Sequence, residues 1–308
     1  MAKVAIVGCG AMGSVYAALM VSAGHEVHAV TAWPDHAAAM QAHGLRVEGF
    51  SGDRTVPIHA GTTTEGIGPC DLVIIATKSF DVDAAARSSL PLLGPDTVVQ
   101  TIQNGLGSPE KAAAVLGADR IAVGVVGGFG ASMRGPGHVH HNGMEMIRFG
   151  ALAGLSRAAI EASAEVWRSA GFTVAIFDDV QRMVWEKLIM NVAFSGTTSA
   201  TGMTIGQVMA NADAWKVAQA CSLEAIAVAK AAGIVLDVGD PIAHVRKLGG
   251  KIPNARPSML LDAIARRPSE VDAINGAIPP LGTRYGIPTP MNEAVVAIIR
   301  AREATYGP

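Results

Sequence analysis

A glycine-rich turn at residues 8–13 is the feature that most limits how this chain can fold. It reads GCGAMG, directly after the apolar run at residues 4–7 and directly before a stretch of helical periodicity that ends near residue 24. A buried strand that leads through such a turn into a helix directs backbone N–H groups and the positive end of the helix towards one point. The order therefore predicts a strand, a tight turn and a helix that together can hold a pyrophosphate.

Each position of the turn has a separate role in this prediction. Gly8 allows the tight turn, Gly10 lets the backbone approach the phosphates, and Gly13 lets the helix pack closely on the strand. Ala11 and Met12 lie between them, where the first helical N–H groups face a ligand. We predict dinucleotide binding at these five residues, the alternative being a tight strand–helix turn without a ligand.

Length and composition favour a compact protein that acts on a small molecule. The chain has 308 residues. A single hydrophobic core rarely supports a chain of this length, so two domains are expected. The net charge of −2 offers no basic face for nucleic acid. No apolar run is long enough to cross a membrane, and a first strand at residue 3 leaves no room for a secretory signal. We therefore predict a cytoplasmic protein.

The first half of the chain alternates strands and helices. This order predicts a mostly parallel sheet with right-handed crossovers. Strands are predicted at residues 4–7, 26–30, 45–50, 55–60, 72–76, 97–102, 121–126, 138–140, 144–149 and 173–177, with 138–140 and 144–149 forming a hairpin. Helices are predicted at residues 36–42, 82–90, 108–116 and 156–170.

From residue 178 the strand signal fades and long helical periodicity follows. Asp178 and Asp179 are both good N-caps for a helix that enters a second domain without a linker. We predict an α/β N-terminal domain of the Rossmann type at residues 1–177 and an all-helical C-terminal domain at residues 178–308 that carries the substrate and the catalytic groups.

Polar residues follow two strands of the predicted sheet, where nucleotide-binding sheets hold their ligands. Lys78 follows the strand at 72–76 and can meet a phosphate or a carboxylate. Asn104, in the sequence Gln103-Asn104-Gly105, follows the strand at 97–102 and can hydrogen-bond a carboxamide. The alternatives are a solvated lysine and an ordinary Asn-Gly turn.

Two polar residues lie one turn apart on an otherwise apolar helix in the second half. Lys187 and Asn191 share a helix face. Desolvation of an amine favours its neutral form and therefore lowers its pKa, which makes Lys187 a candidate proton donor near neutral pH. The alternative is a lysine whose head group reaches water.

Helices are also predicted to start near residues 256 and 268. Ser269 with Asp272 is a plausible capping pair for the second, in which case Glu270 is only a first-turn acid. Asn275 and Gly276 are poor helix formers and indicate a polar contact or close packing. The nine histidines show no metal-binding spacing, so no metal is expected.

Together these residues resemble one known family, the ketopantoate reductases (2-dehydropantoate 2-reductases). The resemblance rests on the turn at 8–13, Lys78, Gln103-Asn104-Gly105, Lys187 with Asn191, and the block of Ser258, Glu270, Asp272, Asn275 and Gly276. It extends along nearly the whole chain, and the C-terminal block is its most specific part.

The resemblance implies NADPH-dependent reduction of a 2-oxo acid to a 2-hydroxy acid. Lys187 resembles the general acid that protonates the carbonyl oxygen, and Glu270 resembles the residue that engages the substrate hydroxyl and the lysine. Asn104 would lie near the nicotinamide and the substrate. Asn191 and Ser258 would hydrogen-bond the substrate, Ser258 at its carboxylate.

Three departures from the family pattern affect the pocket and the cofactor. Ser195 stands where the family often has an asparagine, although we keep it as a substrate-binding candidate, and Ile205-Gly206 replaces a later Asn-Gly. After the second strand, Thr31 and Ala32 are neither the acid that selects NAD nor the arginine that favours NADP. Because Thr31 offers a hydroxyl and no carboxylate repels a 2′-phosphate, we expect NADP, with NAD as the alternative.

Other functions stay open on the sequence alone. A paralogous 2-hydroxy acid dehydrogenase with another substrate fits the departures at Ser195 and Ile205. A dehydrogenase of the 3-hydroxyisobutyrate type is disfavoured, because this chain contains Gln103-Asn104-Gly105 and the block from Ser258 to Glu270. A sensor of NADP(H) without turnover would have no use for Lys187 and Glu270. A homodimer is a possible assembly.

Overall fold

The chain divides into two compact units. In the computed structural model, which describes residues 1–128, 130–144 and 146–307, unit 1 contains Met1–Gln103 and Ser108–Val180. Unit 2 contains Asn104–Gly107 and the chain from Gln181 onward. The four residues 104–107 thus leave unit 1 between a strand and a helix and pack with unit 2.

The larger sheet of unit 1 is mostly parallel, as predicted. Its order is β12-β11-β8-β7-β6-β1-β2-β5, and β11 is the strand that runs antiparallel to its neighbour β8. The strands of unit 1 are β1 (Lys3–Val7), β2 (Glu26–Val30), β3 (Leu45–Gly49), β4 (Arg54–Val56), β5 (His59–Gly61), β6 (Leu72–Ile75), β7 (Val98–Thr101), β8 (Ile121–Gly127), β9 (Gly130–Gly135), β10 (His138–Gly143), β11 (Met146–Ala151) and β12 (Val174–Ile176). The central strands β1 and β6 are almost entirely apolar because helices cover both faces of a parallel sheet.

The helices of unit 1 follow the predicted order. They are α1 (Ala11–Ser22), α2 (Pro34–His43), α3 (Val82–Ser88), α4 (Ser108–Leu116) and α5 (Arg157–Ser169). Ser156 caps α5 by accepting a hydrogen bond from Ala159 N at 3.1 Å.

The predicted hairpin of 138–140 with 144–149 is wrong. β10 belongs to a second sheet of order β4-β3-β10-β9, whereas β11 belongs to the larger sheet; residue 145 lies outside the described residues. The actual hairpin joins β9 to β10 through a two-residue turn at Pro136 and Gly137. The sequence of β9, GASMRG, is rich in glycine and small residues and therefore gave no strand signal.

The described part of unit 2 consists of helices and turns. The helices are α6 (Val180–Thr201), α7 (Ile205–Ala210), α8 (Ala212–Ala231), α9 (Pro241–Lys251), α10 (Ser258–Ile264), α11 (Ile278–Tyr285) and α12 (Pro290–Glu303). Several starts have side-chain caps, including the reciprocal pair of Thr204 and Gln207 at α7. None of the helices within the described residues combines the length and the apolar character that a membrane span requires.

Candidate functional site

The turn between β1 and α1 has the form of a phosphate cradle. Gly8 has φ +98°, and a Cβ at this position would lie 2.4 Å from Thr77 N. A Cβ at Gly13 would lie 2.8 Å from Gly8 O, so both glycines are needed for packing. By contrast, a Cβ at Gly10 would meet no atom within 4 Å. The space that a pyrophosphate needs therefore lies beside Gly10.

The donors for an anion at this cradle come from the first turn of α1. Gly10 is the N-cap and makes no side-chain capping bond, so no side chain competes for the N–H groups of Ala11 and Met12. The neighbouring thiol of Cys9 is buried, and burial raises its pKa to about 12. The side chain beside the cradle is consequently neutral, and the residues present fit a dinucleotide pyrophosphate.

Thr31 is buried at the end of β2. Its Oγ1 accepts a hydrogen bond from Trp33 N at 3.3 Å, and its N–H donates to Gly61 O at 3.0 Å. The hydroxyl thus shapes the turn that follows the strand.

The loops after β6 and β7 are tied together by Gln103. Its Nε2 donates to Ile75 O at 2.7 Å and to Thr77 O at 3.1 Å. The sequence pattern indicated Gln103 only as the residue before Asn104. Lys78 is the next residue after Thr77, and its side chain is half-buried. Within unit 1, Lys78 therefore follows a loop that Gln103 holds beside the glycine turn.

In unit 2, Lys187 and Asn104 meet. Lys187 Nζ donates a hydrogen bond to Asn104 Oδ1 at 2.7 Å. The loop of Asn104 is fixed next to it, since Leu106 N donates to Ala273 O at 2.8 Å. Gly105 has φ +86°, and a Cβ there would lie 2.1 Å from Ala273 O, so only glycine permits this approach.

Glu270 is buried one turn before Ala273, at 5% exposure. Its carbonyl oxygen accepts from Ala273 N and Ile274 N, both at 3.1 Å. The Asn104 loop thus packs against the same turn that carries Glu270. This arrangement brings the backbone of the predicted catalytic acid close to the loop whose asparagine accepts from Lys187.

The prediction of a helix from residue 268, with Ser269 and Asp272 as its capping pair, is wrong. Ser269 N and Oγ both donate to Glu303 Oε1, at 3.0 and 2.5 Å, and Asp272 pairs with Arg300 at 2.6 Å. Both partners lie on α12, so the segment folds as turns against that helix and only residues 275–277 form a short 3-10 helix.

One hydrophobic core fixes the backbone beside the candidate residues of unit 2 other than Ser195. Buried neighbours of Lys187, Asn191, Ser258 and Glu270 belong to this core, and Leu106, two residues after Asn104, packs on it. These neighbours are Leu188, Val192, Met259 and Val271, each 2% exposed or less. Candidate residues from four separate segments are therefore held around a common support.

The remaining candidates of unit 2 lie on α6 and α10. Asn191 is half-buried one turn after Lys187, and Ser258 is the first residue of α10. Ser195 is buried at 5% exposure. Ile205, one of the family departures, lies in a second hydrophobic core, and a Cβ at Gly206 would come within 2.9 Å of Pro253. These two residues therefore serve packing.

Asn275 belongs to a buried network of amide side chains near α6, of which the sequence indicated only this one residue. Asn275 Nδ2 donates to Val192 O at 2.9 Å and to Asn292 Oδ1 at 3.0 Å. Asn292 Nδ2 in turn donates to Glu224 at 2.7 Å. The expected polar contact of Asn275 is confirmed, whereas nothing in the sequence pattern singled out Asn292 and Glu224.

Across the described residues, no group of three or more histidine, cysteine, aspartate or glutamate side chains is arranged to hold a metal ion. The candidate residues of unit 2 supply an amine, amides, hydroxyls and a carboxylate.

Comparison with known proteins finds one family over most of the chain. The family model "Ketopantoate reductase PanE/ApbA" matches residues 4–154, and the model of its C-terminal part matches residues 179–303. A 2-dehydropantoate 2-reductase of Archaeoglobus fulgidus is 30% identical over 98% of both chains.

Solved structures give the same result. A PanE/ApbA family ketopantoate reductase from Ralstonia eutropha is 31% identical, with a TM-score of 0.90 and 99% of both chains covered. A D-mandelate dehydrogenase, in a ternary structure with NADH and anilino(oxo)acetate, is 26% identical, with a TM-score of 0.92 and 99% of both chains covered.

Proposed function

Because the chain belongs to the ketopantoate reductase PanE/ApbA family, we propose that it reduces a 2-oxo acid to a 2-hydroxy acid, with 2-dehydropantoate (ketopantoate) as the default substrate. The cofactor that the family implies is NADPH, with NADH as the alternative. The observation that carries the proposal is the 2.7 Å hydrogen bond from Lys187 to Asn104, next to the turn of Glu270. These are the residue types that carbonyl reduction needs: a proton donor, a group that orients it and an acid.

The proposed steps use the side chains as follows. A bound nicotinamide dinucleotide supplies a hydride to the carbonyl carbon of the substrate. As the carbon–oxygen π bond breaks, Lys187 donates a proton from Nζ to the oxygen, and its positive charge stabilises the developing alkoxide. Asn104 Oδ1 orients the ammonium group by accepting its hydrogen bond.

Substrate recognition is assigned to the polar residues around this pair. Glu270 engages the substrate hydroxyl and the lysine, while Asn191 and Ser195 face the substrate from α6. Ser258, at the start of α10, binds the carboxylate, since helix N-termini favour anions. Cofactor binding is assigned to the glycine turn, Thr31 and Lys78 in unit 1, and to Asn104 in unit 2.

A second candidate is a 2-hydroxy acid dehydrogenase with another substrate. It is favoured by the likeness to D-mandelate dehydrogenase and by Ser195, which replaces the asparagine often found in the family. The two candidate functions share the chemistry at Lys187 and differ in the substituent that the 2-oxo acid substrate carries.

A panel of 2-oxo acids tests the proposal and separates the two candidates. Ketopantoate, phenylglyoxylate and aliphatic 2-oxo acids are each incubated with NADPH and with NADH, and cofactor oxidation is followed at 340 nm. We expect kcat/KM above about 10⁴ M⁻¹s⁻¹ for ketopantoate. Preference for phenylglyoxylate would favour the second candidate, and oxidation of neither cofactor with any acid would contradict both.

We also propose a homodimer in the cytoplasm. Support for the dimer comes from exposed apolar side chains on helices of unit 2, among them Ile264 and Ile298. Support for the compartment comes from Cys9, Cys70 and Cys221, which are all buried and unpaired. Sedimentation velocity tests the dimer: a single species of monomer mass at micromolar concentration would contradict it.

A further inference from the structure

The loops after β2 and β5 are the part of unit 1 that faces the adenosine ribose in a nucleotide-binding sheet. The two strands are parallel neighbours, with Val30 opposite Gly61. NADP sites normally place an arginine here for the 2′-phosphate. Residues 31–45 and 62–77, which follow the two strands, contain no lysine or arginine.

The other polar side chains in the first loop do not replace the missing cation. Thr31 is buried and its Oγ1 accepts from Trp33 N. His36 is fully buried, and its Nδ1 accepts a hydrogen bond from Gly137 N at 2.8 Å. An accepting nitrogen carries no proton, so this hydrogen bond requires neutral imidazole. Burial also lowers the pKa of His36.

The charge that is present has the opposite sign. Asp35 is exposed in the first turn of α2, directly before His36. Trp33 stacks on His36 with ring centroids 5.3 Å apart and adds only a neutral ring to this loop. A carboxylate repels a phosphate but can accept hydrogen bonds from the ribose hydroxyls.

Arg46 and Lys78 are the first cations along the chain after residues 31–45 and 62–77, and both belong to other elements. Arg46 belongs to the second sheet, where it pairs with Asp53 at 2.8 Å. Lys78 follows β6, which β1 separates from β2 by two strand spacings, about 10 Å. Neither residue follows β2 or β5.

From this arrangement we infer that the nucleotide site is built for an unphosphorylated adenosine ribose, and that Asp35, with the cation-free loop around it, selects NADH over NADPH. The choice of hydride donor rests on the proposed reductase function. Discrimination between the two riboses is a property of the loop itself and can be measured without any substrate.

Isothermal titration with ADP-ribose and with 2′-phospho-ADP-ribose tests the inference. We expect the wild-type chain to bind ADP-ribose at least tenfold more tightly. Ala32→Arg, at an exposed position beside Thr31, should gain affinity for the phosphorylated ligand tenfold or more, and Asp35→Asn should gain several-fold. Ala38→Arg, exposed further along α2, adds the same charge away from the loop and is the matched control.

Equal or tighter wild-type binding of 2′-phospho-ADP-ribose would overturn the inference, as would equal gains from Ala32→Arg and Ala38→Arg. Binding of neither ligand would overturn it together with the dinucleotide site. If ADP-ribose binds preferentially but no 2-oxo acid is reduced, the proposed function fails and the ribose selectivity stands. If NADPH supports faster reduction and 2′-phospho-ADP-ribose binds more tightly, the selectivity fails and the function stands.

Discussion

Lys187 illustrates how one residue combines burial with a specific partner. Its stem lies on a helix whose neighbouring residues, Leu188 and Ile189, are buried, while its ammonium group donates to Asn104 Oδ1. The asparagine oxygen is a neutral acceptor that orients the ammonium group.

Replacement of Lys187 should therefore reduce turnover and leave cofactor binding intact. Positioned proton transfer contributes about 10²–10⁴-fold, so Lys187→Ala should lower kcat by at least about 100-fold. Lys187→Met keeps most of the stem and should lose as much. Rates are normalised to folded protein at saturating substrate and cofactor. A Lys187→Ala enzyme that retains more than about a tenth of wild-type kcat would contradict the general-acid role.

The glycines of the turn should respond differently to substitution. Gly10→Val places its Cβ in open space, at φ −90° and ψ −150° just outside the extended region, so the free energy of unfolding should fall by about 1 kcal/mol or less while cofactor affinity falls at least tenfold. Gly8→Ala, at φ +98° and against Thr77 N, should instead destabilise the fold by about 1–3 kcal/mol.

Fluorescence titration with NADH or NADPH measures the affinities, and urea unfolding measures stability. Unchanged affinity in a folded Gly10→Val protein would remove this turn from the cofactor site. Loss of folding in Gly10→Val, with Gly8→Ala unaffected, would reverse the roles given to the two glycines.

At the scale of elements, the turn segment 268–277 is attached to α12 through the side chains of Ser269, Asp272 and Asn275, and these three attachments differ in strength. Asn275 donates to Asn292 inside the core, where both side chains are fully buried. Asp272 pairs with Arg300 in solvent, with 73% and 60% of the side chains exposed. Exposed ion pairs contribute little, whereas a buried polar group left without its partner costs about 1–3 kcal/mol.

Asn275→Ala should therefore lower the free energy of unfolding by about 1–3 kcal/mol or more, because Asn292 Oδ1 and Val192 O lose a donor. Asp272→Ala should cost no more than about 1 kcal/mol. A double-mutant cycle with Asn292→Ala should give a coupling of about 0.5–3 kcal/mol. Urea unfolding provides the values, and equal effects of Asn275→Ala and Asp272→Ala would show that the buried network is not what holds the segment.

The elements that were predicted well are those whose signal is local. β1, β2 and β6 were located to within one residue because their apolar runs end at glycines or polar residues. β9 and the turns at 268–277 were missed because partners far along the chain stabilise them, Ser269 bonding to Glu303 being one example. The residue types of the site were found from their spacing, but the contact between Asn104 and Lys187 joins residues 83 positions apart and required the fold.

At the largest scale, the two sheets of unit 1 share one hydrophobic core. Ile6 of β1, Val47 of β3 and Val139 of β10 all belong to it. His36 adds a polar connection to this packing, because it joins α2 to the β9–β10 turn through Gly137 and reaches α1 through Ser14 Oγ at 3.0 Å. Since Nδ1 accepts from Gly137, Nε2 carries the hydrogen and donates to Ser14.

Protonation of His36 would place two N–H groups against each other, so the stability of the protein should depend on pH. The pKa of His36 in the folded chain is lowered by burial below its ordinary value of about 6.5. Below pH 6.5 the unfolded chain therefore binds a proton that the folded chain does not, and the unfolded state is favoured. The free energy of unfolding should be highest above about pH 6.5 and should fall as the pH drops towards 5, by up to about 1.4 kcal/mol per pH unit for this group.

Urea unfolding of the wild type and of His36→Gln at pH 7 and pH 5 measures this contribution. The pKa values of His25 and His141 are also lowered, so the wild type should lose stability from more than one group. His36→Gln should be less stable at pH 7, because packing and hydrogen bonds are disturbed, but its loss between pH 7 and pH 5 should be smaller than that of the wild type. An equal loss in both proteins would mean that His36 takes up its proton equally in the folded and unfolded chains, which is incompatible with the hydrogen bond from Gly137.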